Sequence, residues 1–308
     1  MSAKRGAMKA RFCLVLVATA LAGCSVMEHE QRSAPPGTVL RATSLPAEPT
    51  SGVAAPPTGA PELWPADAPA IYAKSAILIN ADTGRVLFQK NADAPRQVAS
   101  TQKLLTALIV AESGNLDSPV TIREVDTFVE PTKAGVRAGQ VYSRRQLLNA
   151  LLVHSCNDAA AALARDNAGS TEAFAMEMNS RAAELGAYSS HFVNPHGLPA
   201  PQHSTARDMA RIAYRAYHRP ELREIMRQTF YAFRFNTGRV SYLETTNKLL
   251  GRCPGVDGMK TGYTDAAGRC LITSATLGGR HFILVQLGST TSHIFNDAQT
   301  VLMWAAGR

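Results

Sequence analysis

The chain has 308 residues, 45% of them apolar, with 32 basic and 24 acidic side chains and a formal charge of +8. That length supplies a sizeable core in one or two globular domains. Four of the positive charges, Lys4, Arg5, Lys9 and Arg11, fall in the first twelve residues; without them the charge is +4, and no basic or aromatic-interleaved run remains to attract nucleic acid.

The basic start leads into "FCLVLVATALAG", an apolar run that ends just before Cys24. A bilayer span needs ~20 residues, so this run is too short to cross one and residues 1–23 read as a secretory signal. The sequence "LAGCS" resembles a bacterial lipoprotein signal, which predicts lipidation of Cys24, a membrane attachment through the lipid and a place in the cell envelope. Residues 24–66 hold eight prolines in the stretch from Ser33 to Pro65 and no periodic apolar pattern, so they read as a disordered Pro/Ala-rich linker. A single folded domain is expected over residues 67–308.

Within it, "SAILINADTGRVLFQK" reads as two strands around a "DTG" turn. "VASTQKLLTALIV" reads as a helix bearing Ser100 and Lys103 near its start, followed by Leu104, Leu105, Leu108 and Ile109 at helical spacing. "SRRQLLNALLV" is a helix capped by Ser143. "NDAAAALARDNAG" is a helix closed by Gly169, and "STEAFAMEMNSRAAELG" one stopped at Gly186. "STARDMARIAYRAYHRP" opens with Thr205 and Asp208 in capping-box spacing and ends at Pro220. Three strands follow, "GVDGMKTGY", "RCLITSATL" and "RHFILVQLG", and then a final helix, "SHIFNDAQTVLMWAAG". Strands at both ends with helices between them predict an α/β (α+β) domain: an antiparallel sheet from both termini with a helical block on it.

Three short motifs occur in order: Ser100-Thr-Gln-Lys103, Ser155-Cys-Asn157 and Lys260-Thr-Gly262. Each alone has a plain structural explanation, as a cap, a turn or a solvated lysine. Together they are the signature set of penicillin-binding proteins and class A β-lactamases. A serine hydroxyl needs a base to become a nucleophile, and Lys103, three residues on, shares its helical face. Burial and a neighbouring cation such as Lys260 favour the neutral lysine that a base must be.

From about Ile71 to Trp304 the chain resembles the low-molecular-mass D-alanyl-D-alanine peptidases, in "SSHFVNPHGLPA", "HSTARDMARIA" and "GVDGMKTGYTDAAG" as well as in the three motifs. The resemblance implies a β-lactamase/transpeptidase-like fold with the active site between sheet and helices. It implies a serine-type D-Ala-D-Ala peptidase, carboxypeptidase or endopeptidase, acting on peptidoglycan stem peptides without cofactor or metal, with β-lactams as covalent inhibitors. Ser100 is then the nucleophile, Lys103 its base, Ser155 a proton relay, and Asn157 a holder of Lys103 and of a substrate amide. The backbone N–H groups of Ser100 and Tyr263 form the oxyanion hole, Lys260 and Thr261 offer donors to a substrate carboxylate, and Gly262 clears the strand surface for the peptide.

Two alternatives share parts of this pattern. A class A-like β-lactamase adds a deacylating glutamate in an E-x-x-L-N loop after the second motif, where this chain has "NPHGLPAP". A non-catalytic wall-binding or penicillin-sensing protein would be expected to have lost the nucleophile or base, and both are present. His191, His196 and His203 match no metal-ligand spacing and read as loop histidines. Similar carboxypeptidases place an arginine in the segment that here reads "QLGSTTSHIFND"; it has no arginine or lysine, and His293 is its only titratable base. Cleavage of internal cross-links at least as efficient as terminal trimming is therefore expected. Cys156 reads as a small apolar side chain turned into the core, the alternative being a redox-sensitive thiol beside the site. Extrapolating the hairpin after Tyr263 sets Cys270 opposite Thr261 and Cys253 roughly 26 Å further along the strand, too far for a disulfide.

Overall fold

The computed structural model describes residue 65 and residues 67–307. The expected signal, Cys24 and nearly all of the linker lie outside the described residues.

The first two strands, β1 (Ser75–Asn80) and β2 (Val86–Lys90), form the expected hairpin. The turn is tightened by Asn80 Oδ1, which accepts from the backbone N–H of Asp82 and Thr83 at 2.9 and 2.8 Å. Helix α1 (Lys103–Glu112) follows a 3₁₀ turn over Ala99–Gln102. It is buried on every side rather than on one stripe, the mark of a central helix. A short pair, β3 (Pro119–Thr121) with β4 (Val141–Ser143), leads to α2 (Arg144–Val153) and α3 (Asn157–Ala168). Ser143 and Gln146 complete a reciprocal capping box on α2. Helices α4 (Thr171–Glu184) and α5 (Ala206–Tyr217) come next. Thr205 caps α5 through the Asp208 N–H at 3.0 Å, but the Asp208 carboxylate does not return the bond. It accepts from Ser189 N, Ser190 Oγ and Arg211 Nη1 instead.

Pro220 does more than stop α5. It occupies the first turn of a further helix, α6 (Pro220–Met226), and a hairpin, β5 (Phe230–Arg234) and β6 (Val240–Glu244), follows it. The chain closes with β7 (Val256–Thr264), β8 (Gly268–Leu277), β9 (Arg280–Ser289) and α7 (Ile294–Ala306). The main sheet runs β2-β1-β9-β8-β7, antiparallel throughout, so strands from the two ends of the domain meet at β1 and β9.

Side-chain alternation divides the sheet's two faces. Ile77, Ile79, Ile272, Ile283 and Val285 pack toward the helical block. Leu78, Leu271, Phe282 and Leu284 pack under α7 with Val301 and Leu302. Strand β7 is one of the sheet's two edges, and the 3₁₀ turn of Ser100 rests beside it.

The β7–β8 register differs by one residue from the extrapolated one. Cys270 lies opposite Gly262, and Thr261 opposite Leu271. Thr264 pairs with Gly268, whose φ is +68°, so three residues make the turn; glycine favours that left-handed geometry. The cysteines stay apart for a further reason. Cys270 belongs to the core on the helical face and Cys253 to the core under α7. Cys156, Cys253 and Cys270 are all free and buried.

Candidate active site

Ser100 sits in the 3₁₀ turn, not within α1 itself. In such a turn residues i and i+3 eclipse, which sets Lys103 directly beside it. Ala99 just before it has φ +48°, the left-handed region that a side chain normally avoids. Two glycines accommodate this turn. A Cβ at Gly197 would overlap the Ala99 carbonyl, and one at Gly262 would stand 2.9 Å from Ser100 N and 3.0 Å from Thr101 N. Gly262 therefore clears β7 for the backbone of the nucleophile turn, a close approach not foreseen from the sequence.

Lys103 is completely buried. Its Nζ lies within hydrogen-bond distance of Ser100 Oγ (2.8 Å), Asn157 Oδ1 (2.8 Å) and the His196 carbonyl (2.6 Å). Burial first, and then the charge of Lys260, holds its pKa well below the usual lysine value. A neutral amine has two N–H groups and one lone pair. Asn157 Oδ1 and the His196 carbonyl are acceptors only, so they engage the two N–H groups and the lone pair faces Ser100 Oγ. Asn157 cannot turn around without loss, because its Nδ2 donates to the Glu130 carbonyl at 3.1 Å.

Ser155 and Asn157 flank the junction of α2 and α3. Ser155 has φ +68° and its side chain lines the cleft. Cys156 is turned into the core, and burial drives its thiol pKa far upward. The next residue, Asp158, is fully buried. Its carboxylate accepts from the N–H groups of Ala134, Gly135, Val136 and Ala159. It thereby fixes the loop whose Pro131 and Thr132 form a wall of the cleft.

The third motif divides between floor and cleft. Lys260 is buried, its Nζ donates to the Thr261 carbonyl at 2.8 Å, and burial lowers its pKa to about 7. Thr261 and Tyr263 line a cleft of about 340 Å³ together with Ser100 and Ser155. Thr261 Oγ1 donates to Thr246 Oγ1 at 2.6 Å. The structure thus brings Ser100, Lys103, Ser155, Asn157, Thr261, Gly262 and Tyr263 to one place, with Lys260 just beneath.

Four contributors were missed from the sequence. The His196 main chain, Asp158, Lys248 and Arg269 all belong to the site or its walls. The adjacency of Asp158 to the second motif was a usable signal; the other three are brought in by the fold alone. His191 and His203 face each other across a backbone bridge. The His196 ring is buried near Lys103, and burial, then that charge, lowers its pKa to about 3. Among the described residues no cluster of three His, Cys, Asp or Glu side chains converges on a metal position.

A family model described as D-alanyl-D-alanine carboxypeptidase matches residues 64–291. The chain is 35% identical to D-alanyl-D-alanine carboxypeptidase DacF of Bacillus subtilis over 75% of its own length. It spans only 61% of that relative. It is 32% identical to the D-alanyl-D-alanine endopeptidase of Pseudomonas aeruginosa, over 75% of this chain and 76% of that one. The crystal structure of a D-alanyl-D-alanine carboxypeptidase from Mycobacterium tuberculosis superposes with a TM-score of 0.76 at 32% identity, covering 80% of this chain and 97% of that one. Sheet, helical block and intervening cleft are the β-lactamase/transpeptidase-like arrangement that the resemblance implies. With the three motifs assembled and the match extending over most of its length, the chain belongs to the D-alanyl-D-alanine carboxypeptidase family of serine peptidases.

Proposed function

We propose that this chain is a serine-type D-Ala-D-Ala peptidase acting on peptidoglycan stem peptides through an acyl-enzyme on Ser100. The observation that carries this is the buried Lys103 amine, 2.8 Å from Ser100 Oγ, with its two other hydrogen-bond positions taken by acceptor-only oxygens. Ser100 Oγ attacks the carbonyl of the penultimate D-alanine as its proton passes to Lys103. Backbone N–H groups of Ser100 and Tyr263 meet the developing oxyanion. The C–N bond breaks as the proton reaches the departing amine by way of Ser155, and water then cleaves the ester and frees the shortened peptide. β-Lactams enter the same path and stop at the acyl-enzyme. The residues lining the cleft include no aspartate or glutamate to activate that water, which favours a long-lived penicillin adduct over β-lactamase turnover. The sequence up to Cys24 supports export and lipid anchoring in the cell envelope.

Intact-protein mass after incubation with penicillin tests the nucleophile. One stable adduct is expected on the wild type and none on Ser100→Ala; an equal adduct on both sinks the assignment. Digestion of purified peptidoglycan, read by mass, tests the substrate. Release of neither D-alanine nor separated stems rejects the peptidase. For the anchor, Cys24→Ser should free the protein from membranes with its penicillin binding intact.

A further inference from the structure

The leaving group of such a reaction carries a carboxylate on the carbon bonded to the departing nitrogen. Taking that charge out of water requires cations and donors. The cleft offers two cations that the mechanism does not use, Arg269 and Lys248. Neither forms an ion pair among the described residues; Arg269 meets the Thr291 hydroxyl and the Tyr263 ring, and Lys248 the Phe295 ring.

Strand alternation turns Lys260 and Gly262 toward the helices and Thr261 and Tyr263 to the other face of β7. Arg269 pairs with Tyr263 across β7 and β8, so its side chain emerges on the Thr261 face. Its Nε donates to Thr291 Oγ1 at 3.0 Å, and its guanidinium lies 4.2 Å from the centre of the Tyr263 ring. These contacts fix the plane of the group. Both terminal nitrogens have no partner among the described residues, which leaves a fork of the shape that binds a carboxylate through two hydrogen bonds. Lys248 joins the same lining from the segment that supplies Thr246, the partner of the Thr261 hydroxyl. The other basic groups nearby are engaged. Lys260 is buried and bonded to a carbonyl. His293 has Nδ1 at 2.7 Å from Thr290 Oγ1 and 2.9 Å from Ser292 Oγ, with its ring stacked on Tyr72.

We infer that Arg269, with Lys248, binds the α-carboxylate of the leaving residue, and so supplies from β8 the charge that the segment 286–297 lacks. This rests on the peptidase function proposed above. The ligand class is a carboxylate on the carbon next to the departing nitrogen, whether of a terminal D-alanine or of a cross-linking residue.

The test compares acylation rates with benzylpenicillin and with its methyl ester, followed by intact-protein mass. The penicillin carboxylate occupies the position in question, on the carbon bonded to the ring nitrogen that is released. Wild type should prefer the acid by about tenfold or more, and Arg269→Leu should cut that preference to about threefold or less, as loss of a hydrogen-bonded charge pair requires. Arg269→Lys should fall between them, and His293→Ala should keep the wild-type preference. Using the ratio removes any shift of Tyr263 that slows both reagents alike. The same ratio in wild type and Arg269→Leu overturns the inference, as does a wild type without preference or a loss of preference in His293→Ala. If penicillin acylates the wild type while no D-Ala-D-Ala peptide is cut, the proposed function fails and the acid-to-ester ratio still decides on Arg269. The loss of kcat/KM in Arg269→Leu on a pentapeptide and on a cross-linked dimer then separates the two sources. Equal losses assign the site to both, a loss on the pentapeptide alone restricts it to the terminal residue, and a loss on neither overturns it.

Discussion

Asp158→Asn tests whether a single buried carboxylate holds the cleft wall in place. Asp158 Oδ1 accepts from the N–H groups of Ala134 and Ala159, both at 2.9 Å. Oδ2 accepts from Gly135 at 2.9 Å and from Val136 at a longer 3.4 Å. Asparagine keeps one oxygen and points an NH2 group at two N–H donors. Two bonds to a charged acceptor disappear, at ~1.5–3 kcal/mol for a well-formed one; both are short if the NH2 group replaces Oδ1, and one is long if it replaces Oδ2. The cost is roughly 2–5 kcal/mol by that measure. A domain of this size shifts by about 2–4 °C per kcal/mol, so melting should fall by roughly 5–20 °C. The loop also supplies the Thr132 carbonyl to Asn157 N at 2.7 Å and the Glu130 carbonyl to Asn157 Nδ2 at 3.1 Å, so penicillin acylation should slow as Asn157 loses its seat. Asp117→Asn is the comparison. It also breaks a two-bond contact, with Arg145, but at the exposed surface, where ion pairs contribute little. Circular dichroism melting and acylation rates of both variants decide. If Asp158→Asn melts within about 2 °C of wild type, the four N–H groups are not held as described. If it melts early and acylates normally, Asp158 stabilises the fold without shaping the site.

Lys260→Met should move the pH profile of penicillin acylation. Acylation rises with pH as Lys103 becomes neutral, and the Lys260 charge lowers the Lys103 pKa, so its removal should shift the midpoint upward; an unmoved midpoint would refute the coupling. Lys260 itself titrates near 7 when folded and near 10.4 when unfolded. The unfolded chain binds more protons between those values, so stability should rise with pH from about 7 to about 10 and that rise should flatten in Lys260→Met. Gly262→Ala should slow acylation by about 100-fold by displacing the Ser100 N–H; acylation within about threefold of wild type would show that the turn yields easily. Because burial raises the thiol pKa of Cys156 and Cys270, native protein should resist iodoacetamide at pH 8 and take it up once denatured. Rapid native labelling of Cys156 would instead reveal a reactive thiol beside the nucleophile.

The sheet, its antiparallel closure and six of the helices were legible because their signals are local. Short apolar runs such as Phe282–Val285 mark strands buried on both faces, and polar caps such as Ser143 and Thr205 mark helix starts. The hairpin of β5 and β6 had a signal too, an Asn236-Thr-Gly238 turn between aromatic-rich segments, but helix α6 did not, because Pro220 reads equally as the end of one helix and the beginning of another. The one-residue slip at Cys270 shows the limit of extrapolation. Only the backbone at Gly268 decides whether the turn has three residues or four.

For the site, the three motifs name the groups that react, but their placement depends on partners far along the chain. Ala99 and Ser155 are two of three non-glycine residues with positive φ among the described residues, and each such conformation costs of order 1–3 kcal/mol unless its surroundings enforce it. At Ala99 the enforcement comes from Gly197 and Gly262, nearly a hundred residues and more than a hundred and sixty residues away. The loop bearing Gly197 is itself tied to α1, where Thr106 Oγ1 donates to the Pro195 carbonyl at 2.7 Å. That bond also presents the neighbouring His196 carbonyl to Lys103. The lone pair of Lys103 is therefore aimed by the Asn157 side chain together with a main-chain carbonyl, and the side chain of the residue that supplies that carbonyl carries no sign of the task. A histidine whose ring is buried and uncharged while its carbonyl orients the base is invisible to motif reading, and so is an arginine on the strand beside the motif that names the substrate.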